Sequence, residues 1–306
     1  MKTALLFPGQ GAQHPGMMLD IAGAYPEARE VFALASELLG RDILAELNTL
    51  GKEELSETRN TQPILLTCEL AALRVLKNSG LLYEAAAGFS LGEWAAAVAA
   101  GSLTERDAIR FIARRADAMQ RAVPPGEGAM AYMLGQDDAF VARFCEEIGD
   151  VAPANYNMQG NVSVSGTAAG IERFLEKGEA AGCLVGRISV SIPSHCWLME
   201  PAAEELTPLI QSLEMRNPVK KLLMNATGRE AETAGEIRDN LTRQLTRPVL
   251  FRQTLDRLFS KGYDRFIEVG PGKVLSKIVK KAAKQQKRSV VVMQAGTAEN
   301  MEARCF

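Results

Sequence analysis

Histidine is scarce in this sequence: His14 and His195 are the only two in 306 residues. Any chemistry that needs an imidazole near neutral pH therefore has a short list to draw on. The five cysteines, Cys68, Cys145, Cys183, Cys196 and Cys305, are odd in number and lack metal-ligand spacing. That argues against zinc and against a disulfide framework, and fits reduced thiols in the cytoplasm. No apolar run approaches the length of a membrane span, and Pro8 interrupts the apolar start too early for a signal peptide. The formal net charge of −2 comes from interspersed signs, which argues against nucleic-acid binding as the main function. Phosphate-loop patterns are missing as well. Gly9 and Gly11 are followed next by Gly16, so the dinucleotide spacing fails, and no Gly-Lys-Ser/Thr ending follows.

What is present is an ordinary globular composition, 47% hydrophobic and 24% charged, enough for one large domain or two moderate ones. Its focal stretch is Ala85-Ala86-Ala87-Gly88-Phe89-Ser90-Leu91-Gly92-Glu93. A small-residue apolar run leads into Gly-x-Ser-x-Gly, and an Ala-rich helix follows over Leu91–Ala100. Such a strand-to-helix turn lifts the Ser90 hydroxyl clear of the backbone and leaves the Leu91 N–H free at a helix N-terminus, facing a developing oxyanion. The same string also occurs in unremarkable loops, so the rest of the chain has to decide its meaning.

In chain order, Ala4–Phe7 reads as a buried strand ending in the Gly9–Gln13 turn, and Glu27–Leu39 and Pro63–Asn78 read as helices, with Pro63 at the start of the second. Residues 129–134, 138–148, 151–155, 161–165, 168–181 and 184–190 give β-α-β-β-α-β, the order of a ferredoxin-like unit. The expected fold is a large hydrolase-like α/β domain with a nucleophile elbow, formed by 1–127 and 194–306, carrying an inserted ferredoxin-like α+β subdomain over 128–193. Beyond it, strands are expected at 219–224, 265–269 and 289–293 and helices at 234–244 and 251–261, with a loosely held tail beyond Gln294.

The helix expected over Thr104–Val123 carries Asp107, Arg110, Arg114, Asp117 and Arg121 on a solvated face. Arg115 falls instead in the apolar stripe with Ala108, Phe111, Ile112, Ala118 and Met119. A guanidinium there needs an anion or a structural hydrogen-bonding partner, because it keeps its charge. His195, at the junction where the chain leaves the small unit, is favoured over His14 as the base for a serine nucleophile. From Lys273 to Arg288 there are seven basic residues and no acidic one, which is either a solvated face or a docking stripe for an acidic partner.

Taken together, Phe7-Pro8-Gly9-Gln10-Gly11-Ala12-Gln13, Thr61-Gln62-Pro63, Gly88-Phe89-Ser90-Leu91-Gly92-Glu93, Arg115 to Gln120, Pro193-Ser194-His195-Cys196, Gln244 to Val249 and Glu268-Val269-Gly270-Pro271-Gly272 resemble, in family order, the malonyl-CoA:acyl-carrier-protein transacylases of fatty-acid synthesis and their polyketide-synthase relatives. The resemblance implies that Ser90 is acylated, that His195 is its base, and that the N–H groups of Gln10 and Leu91 form the oxyanion hole. It further implies that Arg115 pairs with the free carboxylate of malonyl, and that Gln62, Met119 and Gln244 support the site, with an amide or carbonyl near Gln244 in place of a triad acid. Malonyl-CoA is then a substrate rather than a resident cofactor, and the partner is an acyl carrier protein, with docking expected at Lys273, Lys277, Lys280, Lys281 and Lys284. The protein is expected to be cytoplasmic and monomeric.

Two positions depart from the family pattern. Phe89 stands where histidine is usual, altering how the elbow packs, and Trp197 stands where a small residue is usual, narrowing a pocket near His195. A thioesterase or esterase using the same Ser90–His195 pair is the competing reading. Arg115 argues against it, since a hydrolase of neutral acyl groups gains nothing from a buried cation, and the chain has no Asp-Gly for a patatin-like dyad. A catalytically silent carrier-binding module would not need Ser90, His195 and Arg115 together.

Overall fold

In the computed structural model, which describes residues 1–190 and 192–302, two sheets form from segments of different texture. The strands are β1 (Lys2–Phe7), β2 (Ala85–Gly88), β3 (Gly128–Leu134), β4 (Val151–Met158), β5 (Asn161–Thr167), β6 (Leu184–Ile188), β7 (Lys221–Leu223), β8 (Glu230–Ala231), β9 (Tyr263–Val269) and β10 (Val291–Ala295). The six-stranded sheet has the order β10-β9-β1-β2-β7-β8 and is parallel except for β8. Its central strands are continuous apolar runs because helices cover both faces. The register Phe7↔Gly88 brings the Gly-rich turn after β1 alongside the elbow after β2. Asn225 follows β7 at the same carboxyl edge, where ligands of parallel sheets collect.

The second sheet is antiparallel, order β4-β5-β3-β6, with helices Asp138–Ile148 and Ala168–Ala180 in the crossovers. This is the ferredoxin-like order. Along β3, Ala129, Ala131 and Met133 pack with Val162 and Val164 of β5 in the core shared with these helices. The alternate residues Met130 and Ser163 therefore face the other way, toward the large sheet. Val249 joins the two units: its N–H donates to Ala154 at 2.8 Å and its carbonyl accepts from Tyr156 at 2.9 Å.

Several expectations need correction. The helix expected to begin at Pro63 runs Thr58–Asn78 with the proline inside it. It continues because Arg41 Nη1 donates at 3.3 Å to the carbonyl of Arg59, the group that Pro63 leaves without its backbone donor. The tail is not loose as far as it is described. β10 extends to Ala295, helix Ala298–Glu302 follows with Met301 buried, and the Ala298 N–H donates to Asp20. Cys68, Cys145, Cys183 and Cys196 are buried free thiols, whereas Cys305 lies outside the described residues.

The elbow is the tightest point of the large unit. A Cβ on Gly92 would stand 2.2 Å from the carbonyl oxygen of Phe7, and one on Gly88 2.0 Å from the Gly92 backbone. Both obstacles are backbone atoms, one at the end of β1 and the other at the start of helix Gly92–Ala99, and cannot turn aside. Gly92→Ala is therefore expected to destabilise the fold by more than about 3 kcal/mol, measured by denaturant unfolding against the wild type. A loss below 1 kcal/mol would show that β1 and the elbow can separate at little cost.

Candidate active site

Ser90 sits between β2 and helix Gly92–Ala99 with φ of 52°, in the left-handed region that side chains rarely occupy. Such a conformation persists only where its surroundings determine it. Here the Asn225 side chain does so. Its Oδ1 accepts from the Ser90 N–H at 2.7 Å and its Nδ2 donates to the Gly88 carbonyl at 2.7 Å, so one amide grips both sides of the turn. The Ser90 hydroxyl lies 2.7 Å from Nε2 of His195, whose Nδ1 lies 2.8 Å from the carbonyl oxygen of Gln244. A carbonyl can only accept, so the proton sits on Nδ1 and the bare Nε2 faces the serine. His195 is buried. Burial, reinforced by the Arg115 charge and opposed by the bond to Gln244, holds its pKa down to about 4. The imidazole is thus neutral at physiological pH.

Arg115 is 1% exposed on helix Glu105–Ala122. Nη1 donates to Gln62 Oε1 at 2.7 Å, while Nη2 lies 3.0 Å from Gln244 Oε1 and 3.5 Å from Ser90 Oγ. Its Nε is buried without a partner among the described residues. Burial lowers its pKa to about 10, against the pull of Glu93, which leaves it charged. The stripe position read from the sequence and the partners found in the structure agree: amides flank the guanidinium, and none of its described hydrogen bonds is to an anion. Gln62 also donates to the sulfur of Met119 at 3.3 Å.

These side chains line a cavity of about 260 Å³ bounded by Gln10, Leu91 and Phe89 on the large unit and by Met130, Asn155, Asn157 and Ser163 on the small sheet. The N–H groups of Gln10 and Leu91 have no hydrogen-bond acceptor among the described residues. A groove of about 400 Å³ shares Gln10, Phe89, Asn157 and Val274 with this cavity and continues past Lys277 and Ile278. Phe89 packs edge-on against Phe251 at 5.4 Å between ring centres, which is how the elbow accommodates it. Trp197 does not narrow the pocket. It opens the short helical turn Trp197–Met199, is 36% exposed and is not among the cavity-lining residues. His14, the weaker candidate base, instead bonds the carbonyl of Pro15 at an exposed site.

The chain matches the acyl transferase domain family over residues 4–304. It is 41% identical over 284 residues to the malonyl CoA-acyl carrier protein transacylase of Escherichia coli K12, covering 91% of this chain and 92% of that one. Against the Bacillus subtilis protein of the same name it is 37% identical over 295 residues, covering 95% and 93%. This chain belongs to the malonyl-CoA:acyl-carrier-protein transacylase family. Among solved structures, the acyl carrier protein S-malonyltransferase of Vibrio cholerae superposes with a TM-score of 0.94 at 36% identity, covering 99% of each chain. A type II PKS acyl-carrier protein in complex with its malonyl-transacylase matches with a TM-score of 0.94 at 35% identity, covering 99% of this chain and 98% of that one. The chain is thus an acyltransferase.

Sequence reasoning gave no role to Asn225, Asn155, Asn157 or Ser163, and nothing local marks them. Glu93 was legible by the test that singled out Arg115, since it is the one charged residue in the Leu91–Ala100 run. Asn225→Ala would leave the Ser90 N–H and the Gly88 carbonyl without partners. A loss of about 1–3 kcal/mol is expected, together with slower labelling of Ser90 by an active-serine reagent. An unchanged unfolding midpoint would mean that the clamp adds nothing.

Proposed function

We propose that this transacylase moves malonyl from coenzyme A to the phosphopantetheine thiol of an acyl carrier protein through an ester on Ser90. His195 takes the Ser90 proton through Nε2 as Oγ attacks the thioester carbon, and the coenzyme A thiolate takes that proton as it leaves. In the second half-reaction the carrier thiol gives its proton to His195 and attacks the ester, and Ser90 recovers its hydrogen. The N–H groups of Gln10 and Leu91 stabilise the tetrahedral oxyanion in each half. Gln62, Met119 and Gln244 support the arginine and the histidine. Residues 1–127 and 194–306 supply the chemistry and 128–193 the opposite wall of the cleft. Ser90, His195 and Arg115 come from one chain, so the reading needs no second subunit. No helix among the described residues is long and apolar enough to cross a membrane, and we place the enzyme in the cytoplasm with its soluble substrates.

The observation that carries the malonyl assignment is Arg115, a buried cation within 3.5 Å of the nucleophile whose described hydrogen-bond partners are amides and a hydroxyl rather than an anion. A malonyl carboxylate supplies the anion, and a neutral acyl group would leave that charge unmatched. Arg115→Ala should lower kcat/KM for malonyl-CoA by roughly 2–5 kcal/mol and leave acetyl-CoA little changed. Intact-protein mass spectrometry of the malonyl-to-acetyl loading ratio reads this, with Ser90→Ala as the control that takes no acyl group. A malonyl adduct on Ser90→Ala, or an unchanged ratio in Arg115→Ala, overturns the reading.

Carrier docking is proposed at helix Val274–Gln285 and the residue before it, where Lys273, Lys277, Lys280, Lys281 and Lys284 are exposed. Val274 lines the Ser90 cavity and Lys277 the groove that leaves it, so an acidic carrier held here would have its thiol arm directed inward. Charge reversal at Lys277 and Lys281 should raise the KM for the carrier and flatten its salt dependence, with malonyl-CoA loading unaffected. Unchanged carrier kinetics would return the stripe to a solvated face.

A further inference from the structure

Glu93 is the buried acid of the site and has no part in the reaction as described. It lies on helix Gly92–Ala99 without solvent exposure. One carboxylate oxygen accepts from the Asn225 backbone N–H, the other from Nε2 of Gln244. A carboxylate, which only accepts, meets both donors with no O–H to turn against either, so this pair of bonds favours the ionised form. Gln244 Nε2 also donates to the Ser90 carbonyl at 2.8 Å, and its Oε1 accepts from Arg115 at 3.0 Å. Only one orientation of the amide makes all three contacts. Turned over, it would aim N–H groups at the guanidinium and its oxygen at the carboxylate.

We propose that Glu93 is a positioning residue for malonyl specificity: its ionised carboxylate fixes the Gln244 amide, and that amide in turn aims Arg115 at the substrate carboxylate and braces Ser90. This rests on the roles given above to Ser90, His195 and Arg115. Among the elements packed against its helix, β1 and β2 bring no charged group to Glu93. Helix Thr58–Asn78 directs its buried Glu69 at Glu268, and helix Glu105–Ala122 contributes Arg115. Desolvation pushes Glu93 up to about 7 against the opposing pull of Asn225, Gln244 and Arg115. His195 is held near 4. Acidification from neutrality therefore protonates Glu93 while the imidazole is still neutral, so the acidic limb of malonyl transfer belongs to Glu93 and not to the histidine. Protonation turns the Gln244 amide and takes its oxygen from Arg115. Acetyl transfer, which does not use the guanidinium, follows the limb less.

The test is acylation of the full chain by malonyl-CoA and acetyl-CoA between about pH 5.5 and 8.5. In the wild type, malonyl kcat/KM and the malonyl-to-acetyl ratio should both fall as pH drops through about 7, by up to roughly tenfold per unit. Glu93→Gln should flatten the limb and lower malonyl kcat/KM by roughly 10- to 100-fold, mainly through KM, as loss of an orienting partner does. Glu93→Asp should restore the limb. A limb that persists in folded Glu93→Gln, or a wild-type ratio indifferent to pH, overturns the proposal, and the second measurement needs no variant to fold. Acylation of Ser90→Ala would instead condemn the reading on which the proposal rests. An inert Ser90→Ala with the limb intact in Glu93→Gln condemns Glu93 alone.

Discussion

One residue, Gln244, bonds Ser90, His195, Glu93 and Arg115 together. Its backbone carbonyl sets the tautomer of His195, and its side-chain amide donates to the Ser90 carbonyl and to Glu93 while accepting from Arg115. The choice of an amide follows from electrostatics. A carboxylate at this position would neutralise Arg115 from inside the protein and compete with any anionic acyl group for it. A neutral dipole fixes the guanidinium and leaves its charge available. The carbonyl behind His195 has a parallel effect. It orients the ring as a triad acid does, but supplies no full negative charge to hold a proton on the imidazole, and Arg115 nearby opposes that proton as well.

The segment that carries Gln244 also sets the width of the cleft. Five residues on, Val249 pairs with β4 by both its N–H and its carbonyl. The same strand presents Asn155 and Asn157 to the cavity. A shift of this segment would therefore move His195, Arg115 and the opposite wall together. Helix packing reinforces the tie: Arg252 Nη1 lies 2.9 Å from Asp138 at the start of the first helix of the small unit.

What the sequence disclosed and what it concealed divide along physical lines. The elbow was readable because its demands are local, small residues around a turn that backbone atoms crowd on both sides. The small unit was readable because its strands alternate and its helices do not. Arg115 stood out because a charge in an apolar stripe violates a pattern, and Glu93 violates the same pattern in the next helix N-terminal to it. Asn225 broke no rule. Its importance comes from the pairing of β2 with β7, strands separated by the whole small unit, and no periodicity in either segment encodes that neighbour. Pro63 misled because the carbonyl it leaves without a backbone donor is satisfied by Arg41, from a different helix-connecting segment.

With the carrier docked as proposed on the basic helix at the groove, the fold separates recognition from chemistry. A helix N-terminus beside an active site would ordinarily attract anions through its unpaired N–H groups. In this enzyme the buried carboxylate of Glu268, at the end of β9, accepts from the N–H groups of Leu275 and Ser276 at 3.0 and 2.8 Å and occupies that end. In the proposed docking mode, attraction of an acidic carrier therefore falls to the exposed lysines. Charges in open solvent are screened over about 8–10 Å at physiological salt, so they speed and orient the encounter more than they prolong it. A carrier that must release its acyl-loaded arm after each turnover is better served by that arrangement than by a buried anion site at the helix end. Arg115 beside Ser90 is by contrast buried and little screened, and the selectivity proposed for it applies to the acyl group rather than to the carrier.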